Sequence, residues 1–103
     1  MTIVAVFYNP TNKSSEWVDT ACQMLEIAET PFVLVDHNNR VFDPQTDEPL
    51  GELETFLNQR HSDTIALVGS PKDIEPYAQH AERTITSIPQ LFEWLWWEVR
   101  AND

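Results

Sequence analysis

The sequence predicts an α/β fold: a three-layer sandwich around a small, mostly parallel sheet of three to five strands, in flavodoxin-like or Rossmann-like order. Two observations carry that expectation. Three short runs rich in β-branched and aromatic residues, 2–8, 32–36 and 64–68, have the near-continuous apolar character of strands buried on both faces. Between them lie stretches whose apolar residues recur at helical spacing, bounded by Pro, Gly, Asn or Ser. A chain of 103 residues can bury one modest core, so 1–103 reads as a single α/β domain.

The first run, Ile3 to Tyr8, is the organising strand, and Asn9-Pro10 ends it. Ser14 or Ser15 can then cap a helix that has Glu16 in its first turn. That helix is expected over 16–29, with Val18, Ala21, Cys22, Leu25 and Ala28 on its inner face. Thr30-Pro31 breaks it, and 32–36 forms the second strand, reached by a right-handed parallel crossover. His37 to Arg40 is a turn. Residues 41–43 then either extend the second strand as a hairpin or fold back over the sheet edge.

Residues 43–54 contain five acids, Asp43, Asp47, Glu48, Glu52 and Glu54, and no base. The first half reads as an irregular acidic loop. The second half enters a helix over 50–60, whose apolar stripe is Leu50, Leu53, Phe56 and Leu57. The third strand, 64–68, ends at Gly69-Ser70-Pro71. A turn over 70–73 leads to a short helix over 76–83 with proline in its first turn. Residues 83–87 are a candidate edge strand, and the last helix spans 90–100. On that helix Leu91, Phe92, Leu95, Trp96 and Val99 cluster on one side, with Trp94 at the border and Trp97 well away. A Trp94/Trp97 patch is therefore either a self-association or partner site or is covered by a long loop such as the segment after Asp43.

Charge narrows the function. Seventeen acidic residues stand against six Lys plus Arg, a formal charge of -11. Such a field opposes direct binding to nucleic acid or to an anionic membrane; it fits plain solubility or a saline environment, and it also fits a functional acidic face for a protein partner with a basic surface. Its boldest form is a DNA mimic. One cysteine, Cys22, leaves no internal disulfide and no CxxC site, and its place on an apolar helical face reads as core. No apolar run reaches transmembrane length and no basic signal-peptide start is present, so a cytoplasmic protein is expected. His37, His61 and His80 have no metal-ligand spacing, and no metal or cofactor is expected.

If the sheet is parallel, the loops after Tyr8, Asp36 and Gly69 share its carboxyl edge, where open α/β sheets bind ligands. Lys13, Ser14, Ser15, Asp36, Ser70 and Lys72 are the candidate residues there for an anion or nucleotide. Neither a dinucleotide nor a P-loop glycine fingerprint accompanies them. The step Ser87-Ile88-Pro89 resembles the proline loop of thioredoxin-like domains, but it continues into a helical pattern and the chain lacks paired active cysteines. It assigns no family. No catalytic residue is assigned either, because the carboxylates are too numerous for any pair to stand out.

Two readings follow. The preferred one is a non-enzymatic interaction or regulatory protein, acting through its acidic surface and C-terminal aromatic helix on a protein partner or on itself. Its interface residues are Trp94, Trp97, Asp43, Asp47, Glu48, Glu52 and Glu54. The alternative is a small-molecule domain that binds an anion or nucleotide at the carboxyl edge, with hydrolysis as its furthest extension.

Overall fold

Five consecutive residues, Ile3 to Phe7, are buried in the first strand, β1 (Thr2–Phe7), because alternate side chains enter two different cores. Val4 and Val6 face one core; Ile3, Ala5 and Phe7 face the other. The structure, a computed structural model, describes residues 2–8, 15–36, 38–59 and 64–96.

After β1 come α1 (Ser15–Ile27), β2 (Phe32–Val35), β3 (Arg40–Phe42), β4 (Pro49–Glu52) and α2 (Leu53–Asn58). The chain continues through β5 (Thr64–Val68), α3 (Pro71–Ile74), a 3-10 helix at Glu75–His80, β6 (Arg83–Ile85) and α4 (Ile88–Trp94). The strands form one sheet in the order β4-β3-β2-β1-β5-β6. β1 pairs in parallel with β2, Val4 opposite Phe32, and with β5, Val4 opposite Ala66. β6 extends the parallel part, while β3 and β4 add an antiparallel wing.

Helices cover both faces. Val18, Ala21 and Leu25 of α1 and Leu91, Trp94 and Leu95 at α4 pack on Val4, Val6, Ala66 and Val68. Leu53, Phe56 and Leu57 of α2 and Ile74 of α3 pack on Ile3, Ala5, Phe7, Ile65 and Leu67. The chain winds outward from β1 in both directions, so crossovers of one hand leave α1 and α2 on opposite faces.

The fold is thus mixed α/β with alternating strands and helices. The sheet has six strands rather than three to five. The extra strand is Pro49–Glu52, which the sequence places in the acidic loop and the start of a helix. All four of its residues are exposed, so it carries no alternating pattern, and it is held by backbone pairing to β3 alone. Leu50 accordingly lies on this exposed edge and not in the α2 stripe. Residues 41–43 resolve in favour of the hairpin, paired antiparallel with β2. The helix expected over 76–83 is replaced by α3 and the 3-10 helix, with Pro71 and Pro76 each near a start.

The last helix begins at Ile88 instead of residue 90. Ser87 caps the helix: its hydroxyl accepts from the Gln90 amide at 3.4 Å. The Gln90 side-chain oxygen in turn accepts from the Thr86 amide at 2.8 Å.

Where β5 ends, Gly69 passes so close to β1 that a methyl group there would lie 2.7 Å from the Phe7 Cβ. Gly69→Ala should therefore lower the unfolding free energy by about 1–3 kcal/mol. The expected reading is a reduced urea midpoint at unchanged slope.

Candidate functional site

α1 leaves the carboxyl end of β1 and must return to the start of β2, so its last turn lies at the amino edge of the sheet. That turn closes in a Schellman motif. The Thr30 amide donates to the Leu25 carbonyl at 3.0 Å and the Glu29 amide to the Glu26 carbonyl at 3.1 Å. The motif places Glu29 in the left-handed region, φ 55°, where glycine is the unstrained choice. Thr30 then turns inward and is buried, its hydroxyl donating to the Ala28 carbonyl at 3.5 Å.

Two features of this turn oppose stability, and a third leaves apolar area in water. Glu29 is a bulky residue at a glycine position. Glu26 and Glu29 sit at the negative end of the helix dipole, and no basic residue occupies the last turn. Ile27, between them, is 80% exposed.

α4 approaches the same place. It follows β6, which is parallel to β5, and so runs back toward the amino edge beside α1. It docks through Leu91, Trp94 and Leu95, at i, i+3 and i+4. That docking corrects the expected surface. Trp94 is 6% exposed and belongs to the core, whereas Phe92 and Trp96, counted in the apolar stripe, are 59% and 53% exposed. Their rings stack, 6.4 Å between centroids and 4° between planes. Trp97 lies outside the described residues.

Between the two helices lies an apolar groove of about 160 Å³, lined by Met24, Ile27, Ala28, Phe92, Leu95 and Trp96. On the other side of the same α1 turn is a wider cleft of about 700 Å³. Glu26, Glu29, Thr30 and Phe32 form one part of its wall, and Asp43 and Gln45 of the acidic loop form another. Residues 25–29 of the sequence are thus the partition between an acidic cleft and an apolar groove.

The field of these acids is felt nearby. The Cys22 thiol is pushed up to about 11 by burial, with the Asp19 and Glu26 carboxylates adding to the effect. A thiol so poised is a poor nucleophile, in keeping with its reading as a packed side chain.

The other expected interface acids spread over the antiparallel wing. The Asp43 carboxylate folds its own loop, accepting from the Gln45 amide at 2.8 Å and the Thr46 amide at 3.3 Å. Asp47 has φ 62°, and with Glu48, Glu52 and Glu54 it is exposed around β4 and the start of α2. Only Asp43 among these five lines the cleft.

Of the carboxyl-edge residues, Lys13 and Ser14 lie outside the described residues, and Ser15 begins α1. Asp36 and Ser70 follow β2 and β5, the two strands that flank β1, so they share one edge. Both are locally engaged. Asp36 accepts from the Asn38 and Arg40 amides, each at 2.9 Å, and the Ser70 hydroxyl donates to Asp73 at 2.9 Å. Lys72 is exposed on α3. Of the histidines, His80 ends the 3-10 helix, while His37 and His61 lie outside the described residues. Among the described residues no group of three His, Cys, Asp or Glu is placed to hold a metal ion, and no helix is long and apolar enough to cross a membrane.

Comparison with protein-family models, curated proteins and solved structures finds no match to this chain.

Two outcomes are expected. Glu29→Gly should raise stability by about 1 kcal/mol, because it removes both the left-handed strain and a charge at the wrong helix end. Thermal unfolding monitored by circular dichroism will read this as a higher midpoint. The raised Cys22 value means that the thiol's contribution to stability is full below the unfolded-state value near 9.0 and is lost as pH rises through about 11. Urea midpoints of the wild type and Cys22→Ala between pH 8 and 11 should therefore converge or cross as pH rises, and parallel curves would refute the assignment.

Proposed function

We propose that this protein is a non-enzymatic interaction module that binds a partner with a basic surface. It would act through its acidic surface together with the C-terminal aromatic helix, and regulate that partner by occupancy rather than by chemistry. The observation that carries the reading is the shared wall: the last turn of α1 borders the acidic cleft on one side and the apolar groove on the other. A partner surface with basic and apolar residues side by side would satisfy both at once.

Energetics favour this over simple solubility. Acids serve solubility anywhere on a surface, yet two of them stand where the helix dipole disfavours them, each at a cost of about 0.3–1 kcal/mol. A third local cost, the left-handed glutamate, falls in the same turn. Local rules broken together without structural return are expected where a surface is used. The -11 charge adds steering over about 10 Å at 0.1 M salt, which speeds encounter with a basic partner. A cytoplasmic location belongs to the same proposal, supported by the single cysteine.

A second reading has one observation in its favour. The winding direction reverses between β1 and β5, and Asp36 and Ser70 lie at carboxyl ends on either side of β1. We infer from the parallel order β2-β1-β5-β6 a flavodoxin-like arrangement, in which that edge takes an anion or nucleotide. The acids Asp36 and Asp73 at this edge weigh against an anion, and the interaction reading stands first.

Selection from an unbiased displayed-peptide library on the immobilised protein tests the leading proposal. Enriched peptides should be net positive, contain a large apolar residue, and lose at least tenfold in affinity between 50 and 300 mM salt, about the dependence of several ion contacts. Enrichment of acidic or neutral peptides, or of none, would reject it.

A further inference from the structure

The groove between α1 and α4 has the size and lining of a site for one side chain. A closed apolar cavity of about 150 Å³ holds a benzene ring, and this groove encloses about 160 Å³ with almost wholly apolar walls. Its rim is aromatic where α4 borders it, through the stacked Phe92 and Trp96, and aliphatic where α1 does, through Met24 and Ile27. Ile27, Phe92 and Trp96 are each more than half exposed, so their covering would remove apolar area that the fold itself leaves in water.

Two kinds of occupant have the required apolar chemistry: a second copy of this chain, or a different protein. Charge separates them. No Lys or Arg occurs between Lys13 and Arg40, nor between Arg83 and Arg100, so neither helix bordering the groove carries a base. Asp19, Glu26, Glu29 and Glu93 are exposed on or just beyond those helices, with Glu26 and Glu93 adjacent in sequence to Ile27 and Phe92. Two copies meeting groove to groove would bring these acids together, on chains that each carry -11. A Lys/Arg-rich segment meets the opposite situation, since its bases would find Glu93 exposed on α4 and, across the α1 turn, Glu26 and Glu29 in the cleft.

We infer that the α1/α4 groove is the anchor site for a single large apolar side chain, Leu, Phe or Trp, projected from a Lys/Arg-rich segment of a partner protein. This inference rests on the interaction reading above and adds where and how the partner is held. The anchor fills the groove between Ile27 and Trp96, and the flanking bases lie along Glu93 on one side and toward Glu26 and Glu29 on the other. In this arrangement the apolar anchor supplies most of the residence time and the charges supply encounter rate and choice of partner.

The test uses three synthetic twelve-residue peptides: one lysine-rich with a central Trp, the same with Ala for Trp, and the same with Glu for every Lys. Each is titrated into the ¹⁵N-labelled full chain at 50 mM salt. The Trp peptide should shift the amides of Met24, Ile27, Phe92 and Trp96, and should bind at least tenfold more tightly than its Ala counterpart. The Glu peptide should not bind. Ile27→Glu and Phe92→Ser should abolish the advantage of Trp over Ala while leaving the weak binding of the Ala peptide intact. Both positions are exposed, so unchanged urea midpoints will certify the fold. If the lysine peptides bind equally with Trp or Ala, and shift only residues near Asp43, Glu48 and Glu52, the groove assignment is overturned while the basic-partner reading survives. If neither lysine peptide binds, both fall. Shifts at the groove that grow with protein concentration alone, and vanish in Ile27→Glu, would make a second copy the occupant and overturn the inference.

Discussion

Everything in this molecule hangs on the two-sided burial of β1. Its side chains alternate between two cores, and its backbone is paired on both edges, to β2 and to β5. A strand in that position leaves its successors little freedom. Both neighbours are parallel to it, and parallel neighbours need crossover connections, whose helices cover one face or the other. Gly69 is part of the same constraint, for β5 runs close enough to Phe7 that no larger residue is accommodated where the strand ends.

From that constraint follows the position of the α1 terminus. The helix has 13 residues, about 20 Å at 1.5 Å per residue. β1 has six, about 20 Å at 3.3 Å per residue. The helix therefore ends level with the beginning of the strand, where it must reverse within a few residues to enter β2. A Schellman closure does this, with Thr30 turned inward and Glu29 at the left-handed position. The placement of the acidic partition is a geometric consequence of matching one crossover helix to one strand. Its chemistry is not, since any residue tolerating the left-handed region closes the turn, and glycine closes it best.

The sequence made legible what burial controls. Runs 2–8, 32–36 and 64–68 are strands because continuous apolar character has no other use in so short a stretch, and the inner face of α1 follows from its period. β4 was invisible: Pro-Leu-Gly-Glu has four exposed residues, one at φ 110°, and only its pairing to Arg40–Phe42 makes it a strand. Ser87 followed by Pro89 is a legible helix start, a serine N-cap with proline in the first turn, and it places the beginning of α4 at Ile88. Which aromatics of α4 face outward was harder. Leu91, Phe92, Trp94, Leu95 and Trp96 outnumber what one helical face can bury. The choice of Leu91, Trp94 and Leu95 is made by the shape of the space over Val4, Val68 and Ile85, which periodicity does not describe. The acidic and apolar clusters were both legible as composition; their meeting at one turn depended on the crossover.

That meeting is what supports the proposed interaction role over plain solubility. If the acids served only to keep the chain soluble, the α1 terminus would be the poorest place for two of them. Substitution there costs the core nothing, so glycine at 29 and a base near 26 would be reached readily by changes that each improve stability. The exposed side chain between them is an isoleucine, 80% in water. A turn that keeps a strained glutamate and a second acid against the dipole has forgone stability in two ways within four residues, and it leaves an apolar side chain in water beside them. The common product is a turn with charge on one flank and apolar area on the other. Under the proposed reading, a basic segment with one apolar anchor would be the complement that uses both flanks.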